Sequence, residues 1–277
     1  MRTHRKAYAI FIYAISLFVC IFALAPVVWC LSTSLKPELM IFEQPPRWIP
    51  KVISLEHYKN VLNNPKMLRY FMNSFLTATA STAIALLVGV LGAYGFSRYK
   101  FPGKNTMLIS IMLTRMLPRV ALIIPFFITL QKLAIYNTRT GMIVIYLIIT
   151  MPLSVWLLKG FFDSIPYELE EAAVVDGCSP LGILFRVDLP IILPAIASVG
   201  MYVFITAWNE FLFALTMSKG EALRTISVGL AFYIDEFGVQ WGSLMAASML
   251  MSLPAMIVFS LFQKSLIKGL SEGGVKG

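Results

Sequence analysis

Six apolar runs, each long enough to cross a bilayer, restrict this chain to one class of fold. A hydrocarbon core of roughly 30 Å takes about 20 helical residues. Segments at about 7–31, 70–96, 106–130, 140–161, 189–217 and 241–266 meet that length. In lipid a spanning segment must satisfy its own backbone hydrogen bonds, which selects the α-helix for runs of this kind. The expected fold is all-α, a single integral membrane domain of six transmembrane helices over residues 1–277. Composition points the same way. Hydrophobic residues make up 58% and charged residues only 13%, with mean hydropathy +0.78, whereas a soluble domain carries about a quarter charged residues.

The first run follows Arg2, His4, Arg5 and Lys6 and has Ser16 as its one ordinary polar residue. Ala23-Leu24-Ala25 resembles a signal-peptide cleavage site, but the apolar run continues through Val27, Val28 and Trp29, longer than a signal core. A retained span is the expectation. The net charge of +9 comes without a lysine/arginine tract or an RNA-binding signature, so it is assigned to basic ends lying against anionic lipid, and no nucleic-acid partner is expected. Lysines and arginines fall in near-equal numbers on the two sides, so their density decides the orientation. Arg98, Lys100 and Lys104 crowd one short turn, while Lys36, Arg47, Lys51, Lys59, Lys66 and Arg69 are spread along the proline-rich stretch 32–69. Both termini and the polar loop 163–188 are therefore expected in the cytoplasm.

Several chemistries are not expected. Cys20 and Cys30 are ten residues apart on one helix, about 15 Å, too far for a disulfide. His4 and His57 are the only histidines, so a metal site or a histidine-based triad would need two remote segments to meet. No G-x-x-x-x-G-K-[ST] sequence occurs, so any ATP would be held by another polypeptide.

The loop 163–188 carries two helix signals. Ser164 is positioned to cap the first, Pro166 suits its opening turn, Glu168, Glu170 and Glu171 suit its positive end, and Gly177 can stop it. Ser179-Pro180 repeats the start signal. Leu169, Ala172, Ala173 and Asp176 share one face by the i, i+3, i+4, i+7 rule. Small residues there would let another surface approach closely, either this chain's own spans or a second polypeptide.

Polar residues inside the spans raise a second question. Arg115 and Arg119 lie four apart in the third span, where a central charge costs about 2.5–3.5 kcal/mol on insertion scales. Pro118 and Pro125 should bend that helix and free carbonyls. A structural pairing, for instance with Glu210, and a substrate-facing role both fit these arginines. In the fifth span Tyr202, Thr206, Asn209, Glu210 and Phe213 form a polar and aromatic stripe. Such a stripe suits a sugar, whose hydroxyls want hydrogen bonds and whose C–H faces pack on rings, but ordinary helix packing uses Thr and Asn as well.

The run Glu171-Ala172-Ala173-Val174-Val175-Asp176-Gly177, with Phe185, Leu189 and Pro190 beyond it, resembles the "EAA" loop of permease subunits in binding-protein-dependent ABC importers. Ser34-Leu35-Lys36, Phe101-Pro102-Gly103-Lys104, Trp208-Asn209-Glu210-Phe211 and the tail 268–277 extend the likeness over nearly the whole chain. Together they look like the smaller permease subunit of maltose-type carbohydrate importers. Cys178 departs from the family's more usual alanine. The resemblance implies a type I ABC importer permease fold in a bacterial or archaeal cytoplasmic membrane. It implies coupling to an ATPase through Glu171, Ala172, Ala173, Asp176, Gly177, Phe185 and Pro190, and a tail, Gly273, Gly274, Lys276 and Gly277, that reaches the ATPase. A homologous second permease, two ATPase copies holding ATP and Mg, and an extracytoplasmic solute-binding protein would be the partners, with no cofactor bound by this chain. A carbohydrate would move inward by alternating access, past the candidate pathway residues Arg115, Arg119, Tyr202, Thr206, Asn209, Glu210 and Phe213. An importer of glycerol phosphate or another polyol derivative is the near rival. An ion-driven secondary transporter is the rival of another class, which predicts inverted repeats not evident here. A membrane-bound enzyme lacks a metal or nucleophile constellation.

Overall fold

The computed structural model describes residues 2–235 and 238–274. Its helices, in chain order, are α1 (Arg2–Ser34), α2 (Glu38–Ile41), α3 (Glu56–Asn63), α4 (Pro65–Arg98), α5 (Lys104–Leu113), α6 (Ile123–Lys132), α7 (Arg139–Asp163), α8 (Tyr167–Val175), α9 (Pro180–Ile183), α10 (Leu189–Trp208), α11 (Leu212–Met217), α12 (Ile226–Ala231) and α13 (Trp241–Gly274). The one ladder among the described residues pairs Ile234 with Val239 and Asp235 with Gly238, antiparallel. Among these residues, Ile10–Ser34, Pro65–Arg98, Arg139–Asp163, Pro180–Trp208 and Trp241–Gln263 are long and apolar enough to cross a membrane. A sixth span results if Lys104–Met116 and Arg119–Lys132 count as one bent pair. The architecture is all-α.

Two segments differ from the continuous spans read in the sequence. Between 106 and 130 the helix breaks and turns through 101°. Leu117 precedes a proline and is extended at ψ 135°, because the proline ring excludes the helical region for the residue before it. Single 3₁₀ turns, Thr114–Met116 and Arg119–Leu122, flank the break. Pro125 produces no second bend, because it lies in the first turn of α6, where a missing amide costs nothing. Between 189 and 217 the helix stops at Trp208 and resumes at Leu212. At its other end that span begins earlier than expected: α9 runs into α10 through a π-helical turn, Leu184–Asp188.

The chain forms two compact units. In the first, Met1–Leu68 with Leu230–Leu253, the residues after α1 are tied by polar contacts. The Ser34 and Tyr58 hydroxyls are 2.8 Å apart. Lys36 donates to the Arg47 carbonyl at 2.6 Å and lies 4.5 Å from the Trp29 ring. Burial pulls the Lys36 ammonium below its ordinary pKa, with Glu43 opposing. His57 is buried with Nε2 3.0 Å from the Lys36 carbonyl. Any side chain at Gly242 would collide with the His57 ring, so that position needs glycine.

The second unit, Arg69–Gly229 with Pro254–Gly277, holds the main core. There Ala85, Val90, Ala93 and Tyr94 of α4 pack with Leu158 and Phe162 of α7 and with Ile192, Ala195, Val199 and Val203 of α10. Small residues set the approach, as is usual where lipid supplies no hydrophobic drive between helices. A Cβ at Gly200 would sit 2.9 Å from Leu86 Cδ1. At the start of α4, Asn73 donates to the Ala222 and Arg224 carbonyls at 2.8 and 3.0 Å and accepts from Arg139 at 3.2 Å. Ser74 accepts the Ile226 amide at 2.8 Å.

Candidate functional site

The loop between α7 and α10 folds as the sequence pattern directs, with one exception. Ser164 does not cap α8. Its own backbone is helical and closes α7, and its hydroxyl donates back to Phe161 at 2.7 Å. Pro166 occupies the capping position with no side-chain bond, and Glu168 and Glu170 complement the helix dipole in the first turn. At the far end Gly177 has φ +81°, a left-handed conformation open to glycine. The Gly177 amide bonds the Val174 carbonyl at 3.0 Å and the Cys178 amide bonds the Ala173 carbonyl at 2.9 Å, which is a Schellman stop. Ser179 then caps α9, accepting the Gly182 amide at 3.1 Å.

The small-residue face expected on α8 divides. Ala173 is buried against its own chain, while Leu169, Glu171, Ala172 and Asp176 stay exposed. A methyl side chain at 173 lets α8 lie close on the bundle and turns its neighbours outward. Val174 is 59% and Val175 87% exposed, and Leu181 and Phe185 are exposed too. Pro190 is likewise exposed at the foot of α10. Isolated apolar residues on a surface are ordinary, but several on one polar loop mark an interaction face.

Beneath α8 lies a charged cluster that sequence reasoning missed. Arg98, the last residue of α4, pairs through Nε with Glu170. The side chains are only 6% and 13% exposed, and the guanidinium lies 4.8 Å from the Tyr167 ring. Its other nitrogens reach the Ser97 hydroxyl at 3.0 Å and the Ile165 carbonyl at 3.4 Å. Ser97 in turn donates to Asp163 at 2.6 Å, which Lys159 also contacts at 2.5 Å. Next to this network Asp188 ends the π turn, fully buried, with neither carboxyl oxygen hydrogen-bonded among the described residues. The charges acting on it are those of Glu170 and Arg98. In the sequence Arg98 reads as one more residue of a basic turn. The available signal was Asp188, an acid in the apolar-flanked Val187-Asp188-Leu189.

Four of the candidate pathway residues meet in pairs, Arg115 with Tyr202 and Arg119 with Glu210. Arg115 stands at the break of the bent span, 5.9 Å from the Tyr202 ring, and with Met112, Met116 and Trp156 lines an open groove of about 530 Å³. Arg119 opens the next 3₁₀ turn, and its charge acts on Glu210. Glu210 is buried and accepts the Phe213 and Ala214 amides at 3.1 and 2.9 Å, so it caps α11. Thr206 and Asn209 donate to carbonyls of their own helix, Tyr202 at 2.8 Å and Ile205 at 3.0 Å. Phe213 is buried against Phe126, ring centroids 5.6 Å apart. Of the tail residues, Gly273 and Gly274 end α13, while Lys276 and Gly277 lie outside the described residues.

Residues 83–272 match the family described as binding-protein-dependent transport system inner membrane component. The chain belongs to this family. It is an inner-membrane permease component of a transport system that depends on a separate binding protein. The permease is 35% identical, over 92% of its length and 89% of the relative's, to the sulfoquinovosyl glycerol transport system permease protein SmoH of Agrobacterium fabrum. It is 34% identical, over 95% of both chains, to the trehalose/maltose transport system permease protein MalG of Thermococcus litoralis. Its fold matches, at TM-score 0.81 and 23% identity, a chain in the crystal structure of a bacterial ABC transporter involved in the import of the acidic polysaccharide alginate, covering 94% of the permease and 96% of that chain.

Proposed function

We propose that this permease forms part of the translocation pathway of an ATP-driven importer for a sugar or oligosaccharide, with both termini and the loop 163–188 facing the cytoplasm. The observation that carries the reading is the α8 loop, a glycine-stopped helix between two spans whose Leu169, Val174, Val175, Leu181 and Phe185 are left uncovered. That surface fits docking on a separate ATPase, two copies of which would hold ATP and Mg, while the chain itself performs no catalysis. Glu171, Ala172, Asp176, Gly177, Phe185 and Pro190 would make or shape the contact, Ala173 would seat the helix from below, and Gly273, Gly274, Lys276 and Gly277 would extend it. A homologous second permease and an extracytoplasmic solute-binding protein complete the assembly. The carbohydrate class rests on relatives named for sulfoquinovosyl glycerol and trehalose/maltose transport.

Within the pathway the geometry favours Arg115 and Tyr202 over Thr206, Asn209, Glu210 and Phe213, whose hydrogen bonds or rings are used inside the chain. Arg115 has no carboxylate at ion-pair distance among the described residues. That supports a second reading, a cargo carrying an anionic group, which the glycerol phosphate alternative also meets. Competition of labelled neutral oligosaccharide uptake by acidic and neutral saccharides separates the two.

The coupling role is tested with Gly177→Leu. A side chain in a left-handed conformation costs about 1–2 kcal/mol and would unmake the Schellman stop. Uptake into vesicles holding the full complex should fall at least tenfold while the chain still inserts. Wild-type uptake would remove the loop from the mechanism.

A further inference from the structure

A buried aspartate with no hydrogen-bond partner is costly unless another state of the protein supplies one. Asp188 is fully buried and both of its oxygens are unsatisfied. Among the described residues, the one cation whose charge acts on it is Arg98, already paired with Glu170 on α8. The buried trio thus has two carboxylates for a single guanidinium.

We infer that Arg98 is a positioning residue exchanged between these two carboxylates. It holds Glu170 in the state described here, and it turns to Asp188 when α8 is displaced from the bundle. The inference rests on the reading of α8 as the ATPase-coupled element. Three observations converge on it. Besides Glu170, Arg98 reaches the coupling loop through a carbonyl at 3.4 Å, the face of Tyr167 and, beyond ion-pair distance, the charge of exposed Asp163, so removing Glu170 takes away its one direct ion pair with the loop among the described residues. Asp188 belongs to the π turn continuous with α10 and is separated from α8 by the Gly177 stop, so it need not follow α8. The hydroxyl of Tyr94 nearby donates to the Pro180 carbonyl at 3.3 Å and leaves Asp188 to the guanidinium. An exchange of this kind keeps a buried positive charge compensated in both states, whereas a single-partner arginine would resist displacement of α8 by the full cost of exposing an unpaired charge. A small shift of α8 is then converted into a discrete change of partner at the foot of the spans.

The test uses the complete transporter in vesicles and compares Asp188→Asn, Asp188→Glu and Glu170→Gln. Exchange predicts that Asp188→Asn lowers uptake at least tenfold with thermal stability unchanged or raised, and that Asp188→Glu restores uptake. It also predicts that Asp188→Asn and Glu170→Gln, which leave Arg98 with opposite single partners, shift the maleimide labelling rate of Cys178 in opposite directions. A merely buried aspartate predicts instead that Asp188→Asn stabilises the protein and transports normally, and that outcome overturns the inference. So do labelling shifts of the same sign, and so does an Asp188→Glu variant that fails to assemble together with Asp188→Asn, which would assign the residue to packing. Gly177→Leu run alongside separates the readings: lost uptake there with full uptake in Asp188→Asn sinks the exchange alone, and full uptake in Gly177→Leu sinks the coupling role.

Discussion

The two ends of α4 solve the same problem with different chemistry. Near its start Asn73 and Ser74 clasp the 222–226 segment with neutral groups, and the Asn73 amide is used on both its nitrogen and its oxygen. At its last residue Arg98 clasps α8 with a buried ion pair, and a second buried carboxylate on which its charge acts, Asp188, is left unsatisfied. A clasp whose central amide is used on both its nitrogen and its oxygen has one good arrangement and acts as a fixed joint. A charged clasp with a spare partner has two, and suits the end that must transmit movement.

That contrast can be broken in stages. The largest effect is expected from Glu170→Gln combined with Asp188→Asn. It strips both buried carboxylates from a buried arginine and should cost about 3–5 kcal/mol, seen as a lower melting temperature of the purified complex, with Glu170→Gln alone costing clearly less and Asp188→Asn alone costing nothing. Asn73→Ala should cost about 0.5–1.5 kcal/mol, because it removes the hydrogen bonds that tie the Ala222 and Arg224 carbonyls to α4. A cost near zero would erase the distinction between the two ends. Gly200→Ala tests the core between them: its added methyl meets Leu86 at 2.9 Å, and a loss of about 1 kcal/mol is expected if Leu86 yields only in part. The smallest effect belongs to Ser179→Ala. It removes the cap of the four-residue α9 for about 0.5–1 kcal/mol and should change the Cys178 labelling rate more than it changes global stability.

Much of this arrangement was legible in the residues. The apolar runs declared the helices, Pro118 announced the break in the third span, and Gly177 and Ser179 marked the stop and restart of the loop, because each acts through its own backbone within a turn or two. Ser164 misled for the complementary reason. Its hydroxyl had a carbonyl three residues back as well as amides ahead, and the bundle decided between them. The division of α8, with Ala173 inside and Val175 outside, depends on how the helix lies on α9, the π turn and the end of α4, which no local pattern encodes. Arg98, Glu170 and Asp188 are far apart in sequence, so their meeting had no signature beyond the oddity of an aspartate beside leucine and proline. In the fifth span the residue types of the stripe were visible, but not that Glu210 would cap α11 and Thr206 and Asn209 would bond their own helix.

The π turn at Leu184–Asp188 has a consequence for sequence length. An α-helix advances its side chains by about 100° per residue, and a π turn holds one residue more than the α-helix around it would need. Deleting one residue there would let the segment relax into a regular helix and rotate everything before it by roughly that angle relative to α10. Phe185 and the α8 loop would then point along a different bearing while every span kept its composition. The phase between loop and span is thus written in a residue count. A one-residue deletion between Leu184 and Asp188 should uncouple the permease more thoroughly than most substitutions in the same stretch.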